Sequence, residues 1–435
     1  MSRAGAVLAL LASLVGLAAP SDAPESLLPL SERMRWDHYG TDHPPANSGG
    51  GGSRRRRRLS SNQLTVNNTS PIRLTVDYAS LYEATAPQYS ACFNVGDWFA
   101  RGLPGQTPPS DGLPTCSDDV TYDCWGICAA ADLITPTGRQ QIIDIVSAVV
   151  LEVQAMIALV PMEEALLFDD SVGRYASALA AKGYPPEEAC ARDCTILNGV
   201  AVADSYCTAP GVQSDAVFSV TKAPTIPGVA GTGGACASDS TGRPTWLVFT
   251  WIQDATNMYG TTKELIDQHR ALVIHELLHA LGATAPPRPL LAPHFPRSLR
   301  LAAPLHVRSR APPPPAGFSN VMFRSARDAS GDLKNLITLQ PVDDFGSDAD
   351  EVWFFTKGRA YELAQKYFGC LDNSSWDGLP LMGFPDLGRA SHWETRIMRD
   401  DVMSYGGIPV VSSITLAAME DLGFYLANYS AAQCM

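Results

Sequence analysis

Ala271-Leu-Val-Ile-His-Glu-Leu-Leu-His-Ala-Leu-Gly282 constrains this chain more than any other stretch. His275 and His279 are four positions apart, and Glu276 directly follows the first. On an α-helix, positions i and i+4 share a face one turn apart. Two imidazoles so placed can hold one Zn²⁺ at about 2.0–2.1 Å each, with Glu276 in reach of a zinc-bound water as its base. Leu265, Ile266, Leu272, Val273, Leu277 and Leu281 recur at helical spacing, so a buried helix is expected here. Gly282 is expected to end it in a left-handed conformation. The competing reading is a core helix with two incidental histidines. A zinc site needs a third protein ligand from elsewhere in the chain.

The chain has 8 histidines. His38 and His43 lie in a non-globular N-terminal stretch. His269 is six residues before His275, on another helix face, and is expected to meet solvent. His294 and His306 fall in a proline- and arginine-rich segment. That leaves His392, which stands shortly before a compact turn at Met403. Its alternative is a surface histidine beside Trp393.

The 435 residues are 46% hydrophobic and 18% charged, an ordinary globular composition long enough for two lobes. A net charge of −13 argues against nucleic acid as a partner. The 10 cysteines are scattered, without zinc-ribbon pairing, and read as disulfides of an oxidising compartment. The Cys124/Cys128 and Cys190/Cys194 pairs lack a nearby histidine, which favours disulfides over metal half-sites.

The N-terminus agrees. Met1-Ser-Arg3, an apolar run from Ala6 to Ala19 and Pro20-Ser-Asp-Ala23 have the layout of a signal peptide, residues 1–23. Residues 24–58 read as a propeptide ending in Arg54–Arg58, a convertase-type basic site. Asn67, Asn68, Asn373 and Asn428 open glycosylation sequons. No other run is apolar and long enough for a transmembrane span, and no lipid-anchor signal is expected at the C-terminus.

Residues 59–282 are read as an N-terminal subdomain carrying the zinc helix. Ile72–Tyr78 alternates as a strand, Cys92–Cys128 is a cysteine-rich loop, and Gln140–Leu159 is a second buried helix. Ala216–Thr221 and Thr245–Ile252 read as strands, the latter central. The glycines and prolines of Ile226–Cys236 suit a sheet edge or a loop. Residues 283–317 are an insertion without structural pattern, read as a flexible insert or, preferably, a translated intron. Joining Gly282 to Phe318 restores a continuous His-Ala-Leu-Gly-Phe-Ser. Residues 318–435 are read as a C-terminal subdomain with a short strand at Glu351–Thr356 and helices at Arg359–Phe368 and Ser413–Leu422.

His275-Glu-Leu-Leu-His279-Ala-Leu-Gly282, a long spacer, His392-Trp-Glu and then Met403 together resemble the leishmanolysin family of zinc peptidases, in the metzincin clan. Asp421-Leu-Gly-Phe-Tyr425 and Tyr367-Phe-Gly-Cys370 add to the resemblance, which spans roughly Cys92 to Cys434. It implies an α+β fold: a metzincin-type zincin catalytic domain with a mixed twisted sheet, an active-site helix and a mainly helical C-terminal lobe. It implies one catalytic Zn²⁺ on His275, His279 and His392, with Glu276 as general base and proton shuttle. Met403 would be the Met-turn floor beneath the metal, and the Ile226–Cys236 region the substrate-binding edge.

The implied activity is a secreted or cell-surface metalloendopeptidase acting on proteins or peptides, with membrane-surface association but no transmembrane span. The alternative is a catalytically inactive relative acting in adhesion or protein binding. Three features depart from the family. No cysteine lies in residues 24–91 to cap the zinc, leaving Asp37, His38, Asp42 and His43 as latency groups. The family's cysteine-rich C-terminal domain is not expected in this chain. Tyr405, two residues after Met403, resembles the astacin-like tyrosine and is assigned oxyanion support. Disulfide pairing is open from sequence; the working pairs are Cys92–Cys128, Cys207–Cys236 and Cys370–Cys434.

Overall fold

Thr135 starts the first long helix: its Oγ1 accepts the Gly138 N–H at 3.1 Å, and Pro136 takes the first helical position, where an N–H has no helical partner. In a computed structural model of the chain this helix, α1, runs Pro136–Met156. The structure describes residues 68–86, 88–101, 107–117, 124–168, 206, 208–226, 229–239, 241–252, 262–282, 318, 320–328, 332–341, 351–370, 376–384, 389–404 and 410–435. All lie in one compact unit, Gly40–Met435.

Before α1 come strands β1 (Ser70–Pro71), β2 (Leu74–Asp77), β3 (Trp98–Arg101) and β4 (Cys124–Ile127). The end of the expected second helix is instead strand β5 (Ile157–Leu159). Then follow β6 (Ala216–Lys222), β7 (Gly231–Ser238), β8 (Pro244–Trp251) and the helix α2 (Lys263–Leu281). A four-stranded mixed sheet has the order β2-β6-β8-β7, in which β2, β6 and β8 are parallel and β7 is antiparallel. Every residue of β6 and β8 is buried, as central strands covered on both faces require. The glycine-rich β7 takes the edge, as its sequence predicted.

Helices α1 and α2 pack together and α2 lies on β7 and β8. Val146, Val149 and Val153 of α1, Val273 and Leu277 of α2, and Phe218 and Phe249 of the sheet share the main core. An ion pair holds the outer parallel strand: Arg73 Nη2 lies 2.8 Å from Asp215 Oδ1, and its Nε lies 3.0 Å from Oδ2. Burial alone would raise the Asp215 pKa, but Arg73 and two backbone N–H groups bring it below the usual carboxylate value.

The C-terminal part comprises α3 (Asn320–Ser325), β9 (Ile337–Pro341), β10 (Glu351–Phe355), α4 (Arg359–Phe368), β11 (Leu379–Phe384), β12 (Arg389–Trp393), α5 (Ser413–Asp421) and β13 (Leu426–Ala427). It is not the mainly helical lobe expected. An antiparallel sheet of order β12-β11-β10-β9 fills it, built in part from short apolar runs whose periodicity did not distinguish strand from loop. β13 returns to pair with β5, joining the chain's end to the end of α1.

Other expectations are also corrected. Gly282 is right-handed (φ −81°, ψ −6°), because its N–H still bonds Leu278 O at 3.1 Å and continues the helix. His269 is buried, its ring 5.0 Å from that of Trp251, because the sheet covers that helix face too. Ile266, placed on the apolar stripe, is exposed. Disulfides join Cys92–Cys128, as expected, and Cys116–Cys124, which closes the β3–β4 hairpin region. Cys370 and Cys434 do not pair: Cys370 follows the left-handed Gly369 cap of α4 and its thiol turns back to the Phe368 carbonyl, while Cys434 is exposed. Cys207, the side chain of Cys236, and residues 283–317 lie outside the described residues.

Candidate metal centre

Helix α2 carries His275, Glu276 and His279, with Thr262 as N-cap accepting the Leu265 N–H. β12 carries His392 opposite Met382 of β11. The three imidazoles converge. His275 Nε2 lies 3.0 Å from His279 Nε2 and 3.0 Å from His392 Nε2, and the remaining pair is 3.2 Å apart. Tetrahedral ligands at about 2.0–2.1 Å from one zinc ion stand only a few tenths of an ångström farther apart.

Tautomers support the fit. His275 Nδ1 is 2.6 Å from Val402 O, and a carbonyl can only accept, so the ring's proton sits on Nδ1. Its Nε2 therefore points a lone pair at the other two rings. A neighbouring hydroxyl, Ser391 Oγ, lies 3.0 Å from His392 Nδ1. Such outer contacts orient metal-binding imidazoles and fix their tautomers.

Electrostatics keep the rings neutral. Burial lowers the His275 pKa, against the opposing Val402 contact. Burial also takes His279 well below the usual value, helped by His275 and His392 and opposed by the Phe318 backbone. His392 falls well below it through burial and His275. Neutral imidazole is the form that binds a metal. Among the described residues this trio is the one cluster of metal-ligating side chains.

Glu276 is 7% exposed, and burial pushes its carboxyl up to about 8, against a hydrogen bond from the Gly233 backbone on β7. Met403 is fully buried, its carbonyl accepting the Trp393 N–H at 2.8 Å. Phe318, Phe323, Phe355 and Trp393 form an aromatic cluster, edge to face except for the tilted Phe355–Trp393 pair, with Phe318 reaching His279 at 6.4 Å between ring centres.

Tyr405, Asp37, His38, Asp42 and His43 lie outside the described residues. Sequence reading missed Gly233, Val402 and Asp401 as parts of the site. Asp401 left a signal as an acid two residues before Met403, and Gly233 lies in the glycine-rich Ile226–Cys236 stretch.

Residues 317–435 match the family model described as Leishmanolysin. That C-terminal segment is similar to the leishmanolysin family. The chain is 32% identical over 120 residues to a leishmanolysin homolog of Crithidia fasciculata, covering 27% of this chain and 16% of that protein. It is 39% identical over 85 residues to a leishmanolysin-like peptidase of Drosophila pseudoobscura pseudoobscura, covering 19% of this chain and 12% of that one. The chain thus spans under a fifth of the length of these relatives. The family match contains His392 and Met403; His275, Glu276 and His279 precede it. Among the described residues, no helix is long and apolar enough to cross a membrane.

Proposed function

We propose that this chain is a zinc metalloendopeptidase of the secretory pathway or cell surface, hydrolysing protein or peptide substrates on a metzincin-type scaffold. The observation that carries this reading is the approach of the His275, His279 and His392 Nε2 atoms to 3.0–3.2 Å, with Glu276 on the same helical turn. Zinc held there would supply Lewis acidity for attack on a peptide carbonyl.

The chain's own residues do the rest. His275, His279 and His392 would hold the ion as neutral ligands, the three-ligand set of a catalytic zinc site. Glu276 takes the proton of the attacking water and returns it to the leaving amine. Its burial raises its proton affinity, and an adjacent cation draws it back toward the working range. The edge of β7 away from β8 offers backbone groups to an extended peptide. Met403 forms the buried floor, and Tyr405 is assigned oxyanion support, which an unchanged rate in Tyr405→Phe would remove.

The test is cleavage of casein by the processed chain, with and without a chelator, beside Glu276→Ala. Activity lost to chelator, restored by zinc and absent from the variant supports the peptidase. One bound zinc per chain without cleavage would replace it by a binding protein.

A further inference from the structure

Asp401 has no exposed surface. Its carboxylate accepts the Met403 N–H at 2.7 Å and the Thr415 hydroxyl at 2.8 Å to each oxygen; the Ser412 hydroxyl also donates to it. Thr415 Oγ1 in turn accepts the Trp393 indole N–H at 2.7 Å. Ser412 Oγ caps α5 by accepting the Thr415 N–H at 3.1 Å. One carboxylate therefore fastens the turn at Met403, the start of α5 and the residue beside His392.

The same turn reaches the other ligand segment. Val402, directly after Asp401, presents the carbonyl that holds His275 Nδ1, and Met403 O accepts the Trp393 N–H. The ligand pair on α2 and the ligand on β12 are thus referred to a common anchor. Asp401 touches neither an imidazole nor the position of a reacting atom.

We propose that Asp401 is the positioning residue of the three-histidine centre, setting the Val402 carbonyl that fixes the His275 tautomer and, through Thr415, the indole that seats His392. This rests on the zinc reading above. Asp401→Asn keeps the shape but not the chemistry. Its amide brings N–H donors to a place where Ser412 and Thr415 already bring O–H donors, so the network must break or turn.

The experiment is zinc affinity of the full chain, read by competition with a chromophoric chelator. Outer-shell changes of this kind cost about 10–100-fold in metal affinity, and that loss is expected for Asp401→Asn. Thr415→Val should lose affinity comparably, while Thr415→Ser, which keeps the hydroxyl, should restore it. Asp421→Asn, at another buried carboxylate away from the histidines, should bind zinc as the unaltered chain does.

Wild-type affinity in both Asp401→Asn and Thr415→Val would overturn the proposal. So would an equal loss in Asp421→Asn, which would make the effect one of general stability. If Asp401→Asn does not fold, the Thr415 pair decides alone. An unaltered chain that binds no zinc, or binding that survives His392→Ala, sinks the metal reading itself and this inference with it.

Discussion

Gly233 is pressed against Glu276 so closely that a Cβ there would fall 2.9 Å from the Glu276 Cα and nearer still to its carbonyl. The edge strand β7 and helix α2 are in backbone contact at the proposed base, and only a residue without a side chain fits between them. The same glycine's backbone hydrogen-bonds the Glu276 carboxyl.

Gly233→Ala should therefore destabilise the fold by about 1–3 kcal/mol, as overpacking does, and lower kcat through displacement of Glu276. At Gly231 the nearest atom is a Phe249 ring carbon at 3.0 Å, so Gly231→Ala should cost less. Urea denaturation of both variants, with casein cleavage alongside, checks the order.

Zinc removal should unfold the chain at lower temperature. A ligand at a thousandfold excess over its Kd adds about 4 kcal/mol, so chelation should lower Tm by on the order of 10 °C. The effect should also depend on pH. The folded pKa values of His275, His279 and His392 lie below the ordinary 6.5, so the unfolded chain takes up protons first as pH falls. Their contribution is present above about 6.5 and is lost as pH falls from there through the depressed folded values. Calorimetry from pH 8 to pH 5 should show falling Tm together with zinc release, and a flat profile would contradict it.

Asp421 supplies the opposite sign. Its carboxyl accepts the Arg359 and Ala360 N–H groups at 2.8 and 2.9 Å, closing the start of α4. Burial pushes its pKa up to about 6 despite those bonds. The folded state holds this proton more tightly than the unfolded one, so the group favours folding most below about pH 4 and loses that effect as pH rises through 6. Relative to Asp421→Asn, the unaltered chain should lose up to about 3 kcal/mol between pH 4 and pH 7. Denaturant midpoints of the two chains at both pH values measure this.

The two disulfides should differ in weight. Cys92–Cys128 spans 36 residues and Cys116–Cys124 spans 8. Loop entropy assigns the first about 4 kcal/mol and the second about 2.5 kcal/mol. Replacing both members of the first pair by serine should therefore lower Tm more than replacing the second; the reverse order would show that native contacts, not loop length, set their worth.

Tyr425 and Asp421 show what a motif can and cannot say. Asp421-Leu-Gly-Phe-Tyr425 is visible in the sequence, yet nothing there reveals that Asp421 caps α4 or that Tyr425 Oη donates to Leu281 O at 2.7 Å. That second bond satisfies a carbonyl that the end of α2 leaves without a helical partner.

The sequence by itself determined the helix α2, the strands β6 and β8, the edge character of β7, helix α4 from Arg359 to Phe368 and which three histidines to bring together as a candidate metal site. Each depends on local signals: spacing along one helix, apolar runs, glycine content, or the small number of histidines. Tertiary structure alone decided that His392 meets α2, that His269 is buried, that Gly233 leaves room for Glu276 and that Asp401 lies under the turn at Met403. These are contacts between residues 14 to 117 positions apart in the chain. Their partners are chosen by packing and by the need of buried polar groups for hydrogen bonds, which no local pattern encodes.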